Sequence, residues 1–348
     1  MTKIRIKDIA RIANVSIGTV DRVLHNRGEV SDATRMRIEK VIAENNYELD
    51  ILASNLASKR QFRFAVVMPD TVNGHVFWEL PKKGIEDTLD EVGHFKISID
   101  YYRFSQTNKS DFSRAVRAFP FTQYQGILFA PVFHKESSDF LHKCKDSNIP
   151  VVLFNSILED AEYESFVGQD AFKSGYLAGK LMSYCLTSAR NLMVINLSAR
   201  KDNYSHIIKR EEGFRNYFEE HPGRVDNLIT IDLSGVGDNL LYSELDRLIK
   251  ENDPAGIFVT NSRVHKVAGY LSQRGIMRMR LIGYDLLQES KEFLKREYID
   301  FLISQKPEEQ ARKGLLTLVN LCILNKKPAK EQLLSLDIIT KENIEFYN

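Results

Sequence analysis

The segment at residues 6–24 constrains the fold of the N-terminal part of this chain more than any other sequence feature. Residues 7–13 are predicted to form a short helix that places Ile9, Ile12 and Ala13 on one face. Asn14 follows where the chain must turn sharply, and asparagine tolerates the left-handed backbone conformation better than most residues other than glycine. The pattern therefore predicts a helix, a tight turn and a second helix.

Ser16 is predicted to be the N-cap of that second helix. Val20, Val23 and Leu24 share one face at i, i+3 and i+4 spacing and should pack against the first helix. A third helix is predicted at residues 33–44. Ser31 with Asp32 is expected to cap this helix. Ile38, Val41 and Ile42 are expected to complete a small core.

The face of the second helix opposite its apolar residues is predicted to contact duplex DNA. A helix of this kind fits the major groove, with its N-terminal residues nearest the base edges. Arg22 can make a bidentate contact to guanine, and Ile17 can meet a thymine methyl group. The predicted DNA-contacting residues of this unit are Ser16, Ile17, Gly18, Thr19, Asp21, Arg22 and His25.

A longer pattern closely resembles the LacI/GalR family of bacterial repressors. It comprises Val15-Ser16-x-x-Thr19-Val20-x-Arg22-Val23-Leu24, then Val30-Ser31, Asn46-Tyr47 and Ala53-x-x-Leu56-Ala57. The resemblance implies that Ala53 and Leu56 lie on a hinge helix. In a dimer, two such hinges enter the minor groove and Leu56 wedges between base pairs, which kinks the duplex. The alternative is that Leu56 is an apolar residue of a linker helix.

Two positions on the second helix depart from the family pattern. Gly18 offers no side chain where many members place a base-reading polar residue. Asp21 stands where a small hydroxyl residue is usual. DNA phosphates repel its carboxylate unless the carboxylate accepts a hydrogen bond from a cytosine amino group or pairs with Arg22. Asp21 could therefore read bases, orient Arg22 or do neither, and these departures leave the operator sequence open.

The distribution of charge also separates the N-terminal segment from the rest of the chain. The 348 residues carry a net charge of +1, but residues 1–40 contain nine Lys and Arg against five Asp and Glu, which leaves the remainder at −3. The positive end suits contact with phosphates. Three widely spaced cysteines, Cys144, Cys185 and Cys322, and the lack of an apolar signal segment or membrane span favour a reducing cytoplasm.

From residue 63 onward, short apolar segments alternate with helical patterns, which predicts parallel sheets with helices on both faces. Nine strands are too many for one small sheet, so two lobes are expected. The candidate strands are 64–68, 97–102, 127–130, 151–154, 192–196, 228–231, 256–259, 281–283 and 301–303. The predicted fold is thus a small all-α helix-turn-helix domain followed by an α/β two-lobed domain with parallel sheets.

The second domain is similar to the two-lobed effector domain of the same family and to periplasmic sugar-binding proteins. The phrases that carry this resemblance lie at 149–155, 167–170, 210–214, 259–261, 282–285 and 303–305. The implied organisation is a DNA-binding domain at 1–49, a hinge helix and linker at 50–61, and an effector and dimerisation domain at 62–348. Lobe 1 is placed at about 62–166 and 306–325, and lobe 2 at about 167–305 and 326–348.

The resemblance implies a binding site for a small effector in the cleft between the lobes, at the carboxyl ends of the strands. The candidate residues are Asp70, Phe77, Trp78, Asn155, Arg210, Asn261, Asp285 and Gln305. Carboxylate, amide and guanidinium groups suit a polyhydroxylated ligand, and an aromatic ring suits a sugar face.

All of these effector residues except Asp70 also have a structural alternative. Asp285 could cap a helix, Arg210 could lie on a solvated helix face, and Gln305 could belong to a hydrogen-bond network at the hinge. Asn155 and Asn261 could form turns. The two aromatic residues could be ordinary core.

Motifs of enzyme chemistry are missing from the sequence. No Gly-x-Gly-x-x-Gly after a strand, Walker-type loop, Gly-x-Ser-x-Gly or His-Glu-x-x-His motif occurs, so no catalytic residue, cofactor or metal is expected. The leading interpretation is a homodimeric transcriptional repressor that binds a near-palindromic DNA operator and a carbohydrate effector. The alternatives are a solute-binding protein of a transport system and a cytoplasmic sugar enzyme. The sequence leaves open whether effector releases the operator or promotes its binding.

Overall fold

The computed structural model describes residues 4–24, 28–45, 61–71, 76–188, 190–197, 205–233 and 237–347. The chain divides into two compact units, Met1–Arg60 and Gln61–Asn348. His25, Ala53 and Leu56, and most of the predicted hinge segment at 50–61, lie outside the described residues.

The first unit contains α1 (Ile6–Ile12), α2 (Ile17–Leu24) and α3 (Asp32–Glu44). Asn14 has a φ of 51°, as the turn requires, and Ser16 Oγ accepts a hydrogen bond from the Thr19 amide at 3.1 Å. These contacts confirm the predicted turn and helix cap. The buried core residues of the unit are Ile9, Ala10, Ala13, Val20, Val23, Ile38 and Val41.

One local prediction in the first unit was wrong, and a second was confirmed in position only. Ile12 is 51% exposed, and Ala10 is buried in its place beside Ile9 and Ala13. At about 100° per residue, positions 9, 10 and 13 share a stripe from which position 12 points away. Ser31 is the N-cap residue of α3, as predicted, but its hydroxyl donates to Thr34 Oγ1 at 2.9 Å and makes no side-chain cap hydrogen bond.

The second unit is built on two six-stranded sheets. The first has the order β11-β5-β4-β3-β1-β2 and is parallel throughout. Its strands are β1 (Phe62–Pro69), β2 (Ile97–Phe104), β3 (Gly126–Phe129), β4 (Val151–Phe154), β5 (Ser165–Gly168) and β11 (Glu331–Leu333).

The second sheet has the order β12-β10-β9-β8-β6-β7, and only β12 runs antiparallel to its neighbour. Its strands are β6 (Asn191–Asn196), β7 (Asn227–Asp232), β8 (Gly256–Val259), β9 (Arg280–Tyr284), β10 (Phe301–Ser304) and β12 (Asp337–Ile339). Each sheet with its helices forms one lobe, which confirms the predicted two-lobed fold.

Nine helices of the second unit alternate with these strands. They are α4 (Glu79–Glu91), α5 (Lys109–Arg117), α6 (His134–Asp146), α7 (Ala171–Cys185), α8 (Ser205–Glu220), α9 (Asp238–Asn252), α10 (Val264–Arg274), α11 (Gln288–Lys295) and α12 (Pro307–Cys322), counted over the described part of the chain. None of the helices in the described ranges is long and apolar enough to cross a membrane.

All nine candidate strands are present, and three further short strands, β5, β11 and β12, complete the sheets. The chain crosses between the lobes after β5, after β10 and between β11 and β12. The sheets therefore differ from the expected lobe ranges in two places. β5 extends the first lobe to Gly168. Residues 331–333, expected in the second lobe, form β11 in the sheet of the first lobe. The pairing of β11 with β5 is a long-range contact that a three-residue pattern does not reveal.

Candidate effector site and DNA-reading helix

The carboxyl edge of the second sheet brings three of the predicted effector residues together. Asp285 directly follows β9, where its backbone has a φ of 68° and its amide donates to Ile303 O at 3.1 Å. Gln305 directly follows β10, the neighbouring strand. Because parallel strands end at the same edge of a sheet, the two side chains meet there.

Gln305 links Asp285 to Arg210 in a continuous hydrogen-bond network. Arg210 Nη2 donates to Gln305 Oε1 at 2.5 Å, and Gln305 Nε2 donates to Asp285 Oδ2 at 2.5 Å. The Gln305 backbone amide also donates to Asp285 Oδ1 at 3.1 Å. Arg210 Nη1 donates to the carbonyl of Thr260 at 2.8 Å. One guanidinium and one carboxylate are thus held in fixed positions by a shared amide.

Close helix packing places Arg210 against this edge. A Cβ atom at Gly175 of α7 would lie 1.9 Å from Arg210 O, and one at Gly213 of α8 would lie 2.0 Å from Phe172 O. Glycine at both positions lets the two helix backbones approach directly. The guanidinium carbon of Arg210 then lies 3.8 Å from the centroid of the Tyr284 ring, a cation–π contact.

The network is almost fully removed from solvent, with Arg210 2% and Asp285 1% exposed. Burial raises the pKa of Asp285 to about 6, against the opposing effects of the Gln305 hydrogen bonds and the Arg210 charge. Burial also lowers the pKa of Arg210. Arg210 Nε is buried with no hydrogen-bond partner. A buried donor without a partner is costly.

Sequence patterns missed a second layer of polar residues that supports Arg210. Thr260 follows β8, and its hydroxyl donates to Asn196 Oδ1 at 2.6 Å. Asn196, the last residue of β6, donates through Nδ2 to Glu211 Oε2 at 3.2 Å and to Asp232 Oδ1 at 2.6 Å. The signal that could have found them is the same as for Asp285, a polar residue at the end of an apolar strand.

Asn155 and Asp70 occupy the corresponding edge of the first sheet, after β4 and β1. Asn155 has a φ of 67°, its amide donates to Val167 O at 3.2 Å, and its side chain makes no hydrogen bond within the described residues. The Asp70 amide donates to Phe104 O at 2.8 Å. Both residues are half-buried.

Phe77 and Trp78 lie in the core of the first lobe. The Trp78 ring centroid lies 5.1 Å from that of Phe77 and 6.2 Å from that of Phe154. Trp78 is 3% exposed, and its indole Nε1 is buried without a hydrogen-bond partner. Leu287 of the second lobe belongs to the same buried cluster.

Asn261 is the one predicted residue of the second lobe that stands apart from the Arg210 network. Its Nδ2 donates to Leu197 O at 2.8 Å, and its Oδ1 accepts from the Arg263 amide at 3.1 Å. These bonds hold the connection between β8 and α10. The geometry matches the turn-forming role that was the alternative for this residue.

The second helix of the first unit presents the predicted DNA face to solvent. Ser16, Ile17, Gly18 and Arg22 are exposed, and Ile17 is 52% exposed although it is apolar. Thr19 and Asp21 are half-buried. The Ser16 and Thr19 hydroxyls share a hydrogen bond of 2.8 Å at the start of the helix.

The described residues offer no group of three or more His, Cys, Asp or Glu side chains that could hold a metal ion. Cys144, Cys185 and Cys322 are free thiols. Burial raises the pKa of Cys144 and of Cys322 to about 12 and that of Cys185 to about 11, so none is an activated nucleophile.

Comparison with protein families identifies both units. The model of a periplasmic binding protein domain matches residues 64–327. The model of bacterial regulatory proteins of the lacI family matches residues 5–49.

Curated relatives match along most of the chain. The chain is 28% identical over 294 residues to the HTH-type transcriptional regulator DegA of Bacillus subtilis (strain 168), covering 81% of this chain and 82% of that protein. It is 22% identical over 321 residues to the sucrose operon repressor of Lactococcus lactis subsp. lactis, covering 91% of this chain and 92% of that protein.

Solved structures resemble the second unit. One, described as that of a LacI transcriptional regulator from Bacteroides fragilis, has a TM-score of 0.78 and 28% identity, covering 83% of this chain and 100% of that one. The glucose-galactose binding protein GanP from Geobacillus stearothermophilus has a TM-score of 0.72 at 19% identity, covering 82% of this chain and 99% of that one. This second likeness shows the fold alone.

Proposed function

Because the chain belongs to the LacI family of bacterial regulatory proteins and carries a periplasmic binding protein domain, we propose that it is a cytoplasmic transcriptional repressor whose operator affinity is set by a small polyhydroxylated effector. The observation that carries the effector proposal is the buried network of Arg210, Gln305 and Asp285. It holds a donor fork and a carboxylate at the carboxyl edge of one sheet.

The chemistry of this network suits hydroxyl groups. A sugar hydroxyl both donates and accepts, so it can accept from Arg210 Nε and donate to the carboxylate of Asp285. Asn155, on the corresponding edge of the first sheet, can supply a further amide. We therefore propose that Arg210, Asp285 and Asn155 contact the ligand. Gln305 holds the side chains of Arg210 and Asp285 in place through its hydrogen bonds to both. The sucrose operon repressor is named for a carbohydrate system, which supports this effector class.

DNA binding is assigned to the exposed face of α2. Arg22 is the proposed guanine reader, and Ile17 contributes an exposed apolar contact for a thymine methyl group. One helix reads only a few base pairs, so we propose a homodimer on a near-palindromic operator with adjoining half-sites. Leu56 is the proposed minor-groove wedge.

Operator selection tests the regulator proposal directly. The full chain would be incubated with a random duplex library, and bound sequences would be recovered by gel shift at two salt concentrations. A repressor of this kind enriches a two-fold symmetric sequence, and its affinity falls as salt rises. Recovery of no preferred sequence would contradict the proposal and favour a solute-binding protein or a sugar enzyme.

An effector screen by thermal shift would then identify the ligand. The probes are monosaccharides, disaccharides and sugar acids, and a ligand that binds the folded protein raises the melting temperature. Asp285→Ala should abolish the shift produced by the best probe and leave operator binding intact, because each buried hydroxyl left unpaired costs about 1–3 kcal/mol. Asp139→Ala on the exposed surface of α6 is the matched control. An Asp285→Ala protein with the full thermal shift would refute the proposed site.

A further inference from the structure

The two lobes contact each other through two short segments beside the cleft. Residues 155–159 follow β4 in the first lobe, and residues 205–209 form the first turn of α8 in the second lobe. Ser156 Oγ and His206 Nδ1 share a hydrogen bond of 2.7 Å. The Ser205 hydroxyl donates to the carbonyl of Ile157 at 3.1 Å. Two polar contacts therefore join segments that belong to different sheets.

An apolar contact reinforces these hydrogen bonds. Ile207 extends from the second lobe into the core cluster of the first lobe, where it is 2% exposed beside partners that include Leu158. Lys209 and Glu159 form an ion pair at 3.8 Å, but both side chains are well exposed, and such pairs contribute little. The contact thus depends mainly on the Ser156–His206 and Ser205–Ile157 hydrogen bonds and on Ile207.

His206 also lies next to the effector network. Arg210 follows it by four residues, so the two side chains occupy neighbouring turns of one helix face. Burial and the adjacent Arg210 charge lower the pKa of His206 well below its ordinary value. The ring is therefore neutral at neutral pH, and it fits beside a buried guanidinium without a second positive charge.

We propose that residues 155–159 and 205–209 form an interlobe latch that holds the lobes together through contacts of the chain alone, with His206 as the positioning residue that joins the latch to the Arg210 network. A ligand shifts an equilibrium between lobe arrangements only by its different affinity for each. The strength of the latch therefore sets the equilibrium on which the effector acts. This regulatory role rests on the proposed function, whereas the latch itself does not.

Trp78 offers a readout of the latch that needs no effector. It is the single tryptophan, it is 3% exposed, and it shares a buried cluster with Leu287 of the second lobe. Separation of the lobes withdraws Leu287, so acrylamide should quench Trp78 more strongly. In the full-length protein without added ligand, Ser156→Ala and His206→Ala should each raise the quenching constant at least twofold.

A double variant, a rescue variant and a control variant distinguish a general structural defect from loss of the latch. Ser156 and His206 share one bond, so the double variant should show no more quenching than either single variant. His206→Asn places an amide nitrogen or oxygen near the position of Nδ1 and should restore low quenching. His142→Ala is the control, because that exposed ring forms a hydrogen bond with Ser138 O of its own helix. Unchanged quenching in both alanine variants, additive increases in the double variant, or failure of the asparagine rescue would each overturn the latch.

Operator binding tests the regulatory role separately. With the operator recovered by selection and no added ligand, Ser156→Ala and His206→Ala should change operator affinity in the same direction by at least about fivefold, the lower end of typical coupling between sites. Unchanged affinity together with raised Trp78 quenching would overturn the regulatory role and retain the latch. If selection recovers no operator, the proposed function fails, and the quenching result still decides the latch.

Discussion

The side-chain amide of Gln169 donates a hydrogen bond to the carbonyl of Ser304 at 2.8 Å, and so joins two crossings of the chain between the lobes. Its second hydrogen is donated to the carbonyl of Ser335 at 2.7 Å, at the third crossing. All three connections between the lobes therefore meet at one buried amide. Lys306 adds an ion pair to Asp337 at 2.9 Å beside this point.

Gln169→Glu should destabilise the protein, because a carboxylate would replace two hydrogen-bond donors and face two carbonyl oxygens in a buried position. We expect a loss of about 1–3 kcal/mol in the free energy of unfolding, with partial recovery at low pH where the new carboxyl protonates. Urea unfolding at pH 7 and pH 5 would measure it. Gln273→Glu, at an exposed position of α10, is the control. Equal midpoints for both variants would show that the Gln169 bonds contribute nothing to stability.

Arg22→Ala should weaken binding to the selected operator by about 1–3 kcal/mol and relax the preference at the guanine that we propose Arg22 reads. Arg37→Ala removes the same charge from the exposed surface of α3 and is the matched control for the loss of phosphate attraction. Gel-shift titrations on the operator and on single-base variants would separate the two effects. If Arg22→Ala keeps the full sequence preference, the assigned register of α2 on DNA is incorrect.

Leu56→Ala should reduce both operator affinity and DNA bending, because a smaller side chain cannot wedge between base pairs. Its response to the effector in a thermal-shift assay should match that of the wild type. A circular-permutation assay with the selected operator measures the bend. Bending equal to that of the wild type would assign Leu56 to the packing of the linker.

Asp285 should make stability depend on pH. Its pKa is raised from 3.8 to about 6 in the folded protein, so folding favours the protonated carboxyl. The stabilisation is complete below about pH 4 and is lost as the pH rises through 6. Relative to Asp285→Asn, the wild type should thus lose at most about 3 kcal/mol of unfolding free energy between pH 4 and pH 7.

Chemical denaturation of wild type and Asp285→Asn across this pH range gives the difference directly, because contributions from other groups cancel. Asp139→Asn on the exposed surface of α6 serves as the control. A constant difference for Asp285→Asn would mean that the carboxyl group is already ionised near pH 4 in the folded protein and that burial does not raise its pKa.

The helix-turn-helix could be predicted because its determinants are close together in the chain. Asn14 supplies the left-handed turn and Ser16 the helix cap, and both act on residues within one helical turn. The alternation of apolar strands with helical patterns likewise predicted nine strands of the two sheets. Asp285 and Gln305 could be placed at one edge because each directly follows an apolar strand, and neighbouring parallel strands end together.

The sequence by itself thus determined the class of fold, the helix-turn-helix and the residues that follow each strand, because these depend on local periodicity and turn chemistry. Only the tertiary structure decided which side chains meet. Arg210 and Gln305 are 95 residues apart, and their pairing requires α8 and β10 to pack in one lobe. The tertiary structure likewise decided which sheet contains β11 and which carbonyl groups Gln169 contacts. Such contacts arise from the path of the whole chain, which no short pattern records.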